Sequence, residues 1–204
     1  MKGKTISPYT LIIALGALLF VPMLGAVHLF DWDEINFAES AREMLVTGEY
    51  GRVTVNYQPF WEKPPLFIWL QTLSMKLLGV NEYAARLPNA LCGMATLLVL
   101  FHYGRKYRSA AFGWFWVLVY VGTWLPHAYF KSGIIDPVFN LFMFLGIMQL
   151  AQWAEAMANN LRLKHAALAG LFIGLAVLTK GPVGILLPGL AAIGYMVAKR
   201  RWFE

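Results

Sequence analysis

Six apolar runs, at residues 9–30, 87–103, 110–126, 137–153, 166–178 and 183–198, constrain this chain more than any other feature. The first has 22 residues and would extend ~33 Å as a helix, enough to cross a ~30 Å hydrocarbon core. Inside lipid each backbone polar group needs a partner within the protein, and a helix satisfies its own. An all-α integral membrane protein with about six transmembrane helices is therefore expected. Composition agrees: 59% of the 204 residues are hydrophobic and 14% charged, against roughly half and about a quarter in soluble domains. A cleaved export signal is the competing reading of the first run. That run exceeds the usual ~7–15-residue apolar stretch of a signal and lacks a small-x-small site before Asp31, so it reads as a retained anchor.

The net charge of +6 does not point to nucleic acid, because the basic residues stand in short clusters between apolar runs and form no aromatic-interleaved stripe. Cys92 is the single cysteine, which excludes an internal disulfide, and His28, His102, His127 and His165 lack paired metal-ligand spacing. Short loops rich in Lys and Arg stay on the cytoplasmic side. With the N-terminus inside, Lys2, Lys4, Arg105, Lys106, Arg108, Arg162, Lys164, Lys199, Arg200 and Arg201 lie inside, ten of the seventeen basic residues. Glu155 and Glu204 are the inner acids, and the other nine of eleven face outward. Both termini are expected in the cytoplasm, with residues 31–86 on the far side of a cell inner membrane.

That outer loop exceeds the ~12–15 residues of a plain connector, so it should carry structure and function. Residues 35–47 place Phe37, Ala41, Met44 and Leu45 at helical spacing with Asn36, Glu39, Ser40 and Glu43 opposite, an amphipathic interfacial helix ending at Gly48. Residues 66–78 repeat the pattern between Pro64-Pro65 and Gly79. At ~20 Å this second helix is expected to lie at the surface. No linker divides the chain, and residues 1–204 read as one membrane unit.

Four groups carry candidate chemistry. Asp31-Trp32-Asp33-Glu34 clusters three carboxylates; they can cap the following helix, with Asp31 and Glu34 at capping-box spacing, or mutual repulsion can make one a base or the group can bind a divalent cation. In Glu62-Lys63-Pro64-Pro65 the prolines stiffen an acid-base corner, suited to a metal or substrate at Glu62 and a phosphate at Lys63, or to a plain exposed turn. The two side chains should point different ways and serve different partners. Asp136-Pro137 matches a helix start with aspartate at the N-cap. Lys180 follows an apolar run of only ~20 Å, which puts an ammonium short of the outer interface, a costly position that suggests function; snorkelling or interaction with the helix dipole is the alternative. His127 and Lys131 occupy the other outer turn and read as interfacial loop residues. Together these groups would line a cavity in the outer leaflet. Two chemistries fit it: group transfer from a membrane-anchored phosphate donor, and transport through a membrane transporter or flippase component.

At these residues the chain resembles the N-terminal half of a polyprenyl-phosphate-sugar-dependent glycosyltransferase of the GT-C type. The likeness is greatest to the bacterial aminoarabinose transferases, which are related to the dolichyl-phosphate-mannose protein mannosyltransferases. It covers residues 31–188 and rests on motifs in family order: Asp33-Glu34-Ile35-Asn36-Phe37-Ala38-Glu39 continuing to Ala41-Arg42-Glu43-Met44, then Glu62-Lys63-Pro64-Pro65-Leu66, Ala85-Arg86-Leu87-Pro88, Ile135-Asp136-Pro137 and Leu178-Thr179-Lys180-Gly181-Pro182. The resemblance implies Asp33 as the catalytic base, Asp136 as a further cavity acid, and Lys63 and Lys180 as lysines for the lipid phosphate. It also implies Glu62 as a ligand for a divalent cation, zinc or magnesium, with Glu34, Arg42 and Arg86 in support. The implied reaction moves a sugar, with inversion, from undecaprenyl phosphate to an acceptor that is lipid A, protein or another glycan. The family motif often reads Asp-Glu-x-Arg-Tyr, whereas Asn36 and Phe37 stand here. Family members are also longer, so the chain is expected to be a fragment with further metal and phosphate contacts beyond it.

Overall fold

The computed structural model describes residues 6–30 and 32–199. Asp31, Lys2, Lys4, Arg200, Arg201 and Glu204 lie outside the described residues, and with them the expected Asp31–Glu34 capping box. The described chain is helical apart from one short hairpin: α1 (Pro8–Phe20), α2 (Asp33–Thr47), β1 (Thr54–Val55), β2 (Gln58–Pro59), α3 (Leu66–Leu78), α4 (Glu82–Tyr107), α5 (Ala110–Val121), α6 (Trp124–Tyr129), α7 (Asp136–Glu155), α8 (Asn159–Lys180) and α9 (Val183–Lys199). Large apolar side chains such as Leu18, Leu171, Ile185, Leu190 and Ile193 point away from the protein. Such an exterior suits lipid and would aggregate in water.

α4, α7 and α8, with 26, 20 and 22 residues, are long and apolar enough to cross a membrane. The other three expected spans are shorter: α1 has 13 residues, α5 has 12 and α9 has 17. Residues 9–30 do not form one helix, because Pro22 follows the α1 cap at Val21, and proline neither donates to the helix ladder nor fits beside the carbonyl four residues back. α8 departs the other way. It begins at Asn159, seven residues before the apolar run, since Arg162, Lys164 and His165 are tolerated in a helix that projects from lipid. It is therefore ~33 Å long rather than ~20 Å. Lys180 is the last residue of this helix. Gly181, at φ +80°, terminates it there in a conformation that costs glycine little.

α4 is the central element and packs against α1, α3, α5 and α7, while α8 and α9 flank α7. Its start is set by Asn81, whose side chain accepts from the Ala84 amide at 2.9 Å. Ile12, Phe20, Leu97, Phe101, Val117 and Phe130 form the core between α1, α4, α5 and the turn before α7. α2 and α3 form a layer over one end of the bundle. There the apolar stripe of α2 is covered by protein, with Phe37 edge-on to Phe67 at 6.0 Å between ring centroids and Met44 beside Ile68. The hairpin β1–β2 was not anticipated from the sequence. Its turn residues Asn56 and Tyr57 have φ of 53° and 59°, as a type I′ turn requires. The buried Glu43 carboxylate holds it, accepting from the Thr54 hydroxyl at 2.5 Å and the Tyr57 amide at 3.0 Å.

Candidate functional site

One end of the bundle collects the start of α2, the turn before α3, the start of α4, the turn before α7 and the end of α8. A buried ion pair ties them together. Glu34 and Arg86 are each 1% exposed, with Arg86 Nε donating to Glu34 Oε1 at 2.7 Å and Nη2 to Oε2 at 2.9 Å. Arg86 also donates to the carbonyls of Leu24, Val27 and His28 at 2.7 to 2.8 Å, which fastens the chain leaving α1. Glu34 accepts the Phe30 amide at 2.6 Å and the Gly133 amide at 2.5 Å, which fastens the turn before α7. Asn89 donates to the carbonyls of Ser132 and Ile134 in that same turn, at 2.6 and 2.7 Å. Gly133 is tightly packed: a Cβ there would sit 3.0 Å from Gln71 Nε2, 3.2 Å from Glu34 Cγ and 3.3 Å from the Ala85 carbonyl. Burying two charges is costly unless their remaining hydrogen-bonding capacity is filled. Here backbone groups from two segments, the stretch after α1 and the turn before α7, fill it.

This clamp positions two lysine–carboxylate pairs. Asp33 is the first residue of α2, adjacent to Glu34, and its Oδ1 lies 4.0 Å from Lys63 Nζ. Lys63 also sits over the Phe37 ring at 5.8 Å. Asp136 begins α7, three residues after Gly133, and its Oδ1 accepts from Lys180 Nζ at 2.5 Å. Lys180 lies over the Phe139 ring at 5.6 Å. All four side chains are partly accessible, between 24% and 44% exposed. Along the first turns of α7, from Pro137 on, a cavity of about 260 Å³ opens, lined mainly by apolar side chains including Pro137, Leu141 and Phe144, with Asn140, Tyr120 and Tyr129 at its wall.

Several expectations change on contact with this geometry. Asp136 does not cap α7: Ile135 occupies the N-cap, no side chain caps the helix, and the carboxylate turns to Lys180 instead. Asp33 likewise makes no capping hydrogen bond, and Trp32, at φ +70°, takes the N-cap position. Arg42 is not brought to the lysine pairs. Its guanidinium forks onto Glu39 at 2.6 and 2.8 Å and touches the Tyr57 hydroxyl, which holds the Glu39 carboxyl below the usual glutamate range. Arg86 and Glu34 support the site by holding it together, from a position sealed from solvent. Glu62 is exposed. Among the described residues no three His, Cys, Asp or Glu side chains converge on a point where an ion would sit. His127 pairs with the Val121 carbonyl at 2.7 Å and packs near Phe20, a structural role. Asn89, Gln71 and Gly133 escaped the sequence reading because nothing local marks a residue whose partner lies tens of positions away.

Residues 62–204 match the family described as dolichyl-phosphate-mannose-protein mannosyltransferase. Undecaprenyl phosphate-alpha-4-amino-4-deoxy-L-arabinose arabinosyl transferases are similar over nearly the whole chain. The protein from Shewanella sediminis is 27% identical over 184 residues, 90% of this chain, and that from Edwardsiella ictaluri is 28% identical over 200 residues, 95% of this chain. Crystal structures of ArnT from Cupriavidus metallidurans, apo and bound to undecaprenyl phosphate, superpose with TM-scores of 0.86 at 27% identity, over 95% of this chain. The chain spans 34% to 36% of the length of these relatives. With the motifs, the helical bundle and these likenesses in agreement, the chain belongs to the dolichyl-phosphate-mannose-protein mannosyltransferase family.

Proposed function

We propose that this chain carries the base and the phosphate-binding lysines of an inverting glycosyltransferase that uses a polyprenyl-phosphate sugar at the periplasmic or extracellular face of the inner membrane. The observation that carries the reading is the pairing of two lysines with two carboxylates at one end of an apolar bundle, beside a cavity suited to isoprene units. Partly exposed ion pairs of this kind hold only ~0–1 kcal/mol. Each lysine can therefore leave its carboxylate for a donor phosphate at little cost and gain a charge-assisted hydrogen bond.

Lys63 and Lys180 then neutralise the phosphate. Asp33, freed from Lys63 and open to solvent, accepts the proton of the acceptor hydroxyl. The acceptor oxygen bonds to the anomeric carbon as the carbon–oxygen bond to phosphate breaks, and polyprenyl phosphate departs with the bonding electrons. A single displacement inverts the anomeric configuration. The lysines stabilise charge that grows on the leaving oxygen, so their effect is larger in the transition state than in the bound donor. Lipid A, protein and other glycans remain the acceptor classes. A divalent cation at Glu62 would take its further ligands from outside the described residues.

The test is sugar transfer from a polyprenyl-phosphate donor by the full-length protein in proteoliposomes. Asp33→Asn should abolish transfer while donor still binds, and exhaustive chelation should reduce turnover if Glu62 holds a cation. Undiminished transfer by Asp33→Asn, or accumulation of intact solute in the vesicles in place of transfer, overturns the proposal.

A further inference from the structure

The opposite end of the bundle gathers a second set of charges. α4 finishes with Arg105 and Lys106 and is capped by Arg108, while α8 opens with Arg162 and Lys164. A polar chain brings these distant segments together. Lys106 Nζ donates to Gln152 Oε1, Gln152 Nε2 and Gln149 Nε2 donate to the Tyr103 hydroxyl at 3.3 and 3.2 Å, and His165 Nδ1 pairs with Gln149 Oε1 at 2.7 Å. Tyr103, Gln149 and Gln152 are buried. Buried polar groups are costly unless satisfied, so this chain sets the register of α4, α7 and α8 at their inner ends.

Five cations from two helices thereby share one end, and among the described residues none of them forms an ion pair with a carboxylate. Glu155, at the end of α7, forms no ion pair with any of them among the described residues. Rings orient two of the guanidiniums instead: Arg108 lies 5.9 Å from the Phe112 centroid and Arg162 5.4 Å from that of Trp153. Between the cations, Met157, Leu161 and Leu163 are 97%, 46% and 73% exposed. Exposed apolar side chains interleaved with unpaired cations match the boundary between acyl chains and phosphates, where the former enter the hydrocarbon and the latter stay at headgroup depth.

We propose that the α4–α5 and α7–α8 turns form a binding site for the phosphodiester headgroup of an anionic phospholipid. Arg105, Arg108, Arg162 and Lys164 supply the charge, and Lys106, anchored on Gln152, holds the α4 side of the site to α7. Arginine forks suit two phosphate oxygens, and Met157, Leu161 and Leu163 cover the first methylenes of the acyl chains. The site lies at the far end from the lysine–carboxylate pairs and does not rest on the transferase reading.

The experiment places full-length protein in nanodiscs of phosphatidylcholine with about 20% phosphatidylglycerol and measures by native mass spectrometry which lipids stay bound after detergent release. Wild type is expected to retain phosphatidylglycerol enriched about five-fold over its bulk share. Arg105→Gln/Arg108→Gln/Arg162→Gln/Lys164→Gln should return the retained lipid to the bulk ratio. Because these charges also orient insertion, a salt series on wild type gives an arm that needs no variant: at about 1 M salt, where the Debye length is ~3 Å, enrichment should fall toward unity. Glycerol phosphate added to phosphatidylcholine discs should leave the thermal midpoint unchanged, which separates a lipid from a free phosphate. Equal retention of both lipids by wild type, enrichment indifferent to salt, or full stabilisation by glycerol phosphate overturns the proposal.

Discussion

Replacing Glu34 by glutamine keeps the side chain's shape and still should be severe. Glu34 Oε1 receives Arg86 Nε and the Gly133 amide, and Oε2 receives Arg86 Nη2 and the Phe30 amide. Every approach is by a donor. Whichever way a glutamine amide is turned, its NH2 faces two N–H groups and two hydrogen bonds are lost. Bonds to charged groups are worth ~1.5–3 kcal/mol each, which gives roughly 3–6 kcal/mol. Removing one partner of a buried ion pair costs ~3–5 kcal/mol by a separate line of measurement. A loss of about 3–5 kcal/mol is expected for Glu34→Gln, read from equilibrium unfolding of the full-length protein in mixed micelles of increasing SDS fraction. Arg86→Met and Glu34→Leu/Arg86→Met complete the cycle. A buried pair can often be exchanged for apolar residues without loss, but this exchange orphans at least the buried Leu24 carbonyl and Gly133 amide. At ~1–3 kcal/mol each, they should keep the double variant about 2 kcal/mol or more below wild type, yet above the sum of the single changes. Glu34→Gln within about 1 kcal/mol of wild type, or a double variant as stable as wild type, would refute the clamp.

Gly133→Ala should destabilise by about 1–3 kcal/mol, because the added Cβ meets Gln71, Glu34 and the Ala85 carbonyl, which cannot all retreat; the same SDS titration checks it, and a neutral result would mean the turn before α7 is loosely packed. Lys180→Ala should weaken undecaprenyl phosphate binding by about ten- to a hundredfold, the worth of one charge-assisted hydrogen bond, while the partly exposed pair with Asp136 costs stability less than about 1 kcal/mol. Unchanged affinity in a binding titration contradicts this. The Glu39 carboxyl is held low by the Arg42 fork, so its stabilisation is full above the ordinary glutamate range and is lost as pH falls through its lowered value. Glu39→Gln should therefore flatten the acid limb of a stability profile by under about 1 kcal/mol, and an identical limb would remove the pair from the balance.

Much of this was legible in one dimension. α3 begins after Pro64-Pro65 and ends before Gly79 because proline and glycine act on their own backbone, without help from the rest of the fold. The membrane character of α4, α7 and α8 follows from composition alone, since lipid demands apolar length. Hydropathy marks where lipid is and not where a helix stops, so α8 extends seven residues further into polar sequence than its apolar run. The hairpin at Asn56 and Tyr57 lacks the usual Asn-Gly signal and is held by Glu43 from another element, so no local cue could find it.

The same division holds at the site. Asp33, Lys63, Asp136 and Lys180 were recognisable as residue types at helix ends, where charge is affordable beside a membrane. Which acid meets which lysine was decided by packing, since Lys180 is 44 positions from Asp136 and Arg86 is 52 from Glu34. Local sequence sets backbone preferences and the depth at which a side chain can sit, because those energies depend on neighbours a few residues away. The partnering of charges depends on how helices far apart in sequence come to rest against one another, and only the folded bundle supplies those distances.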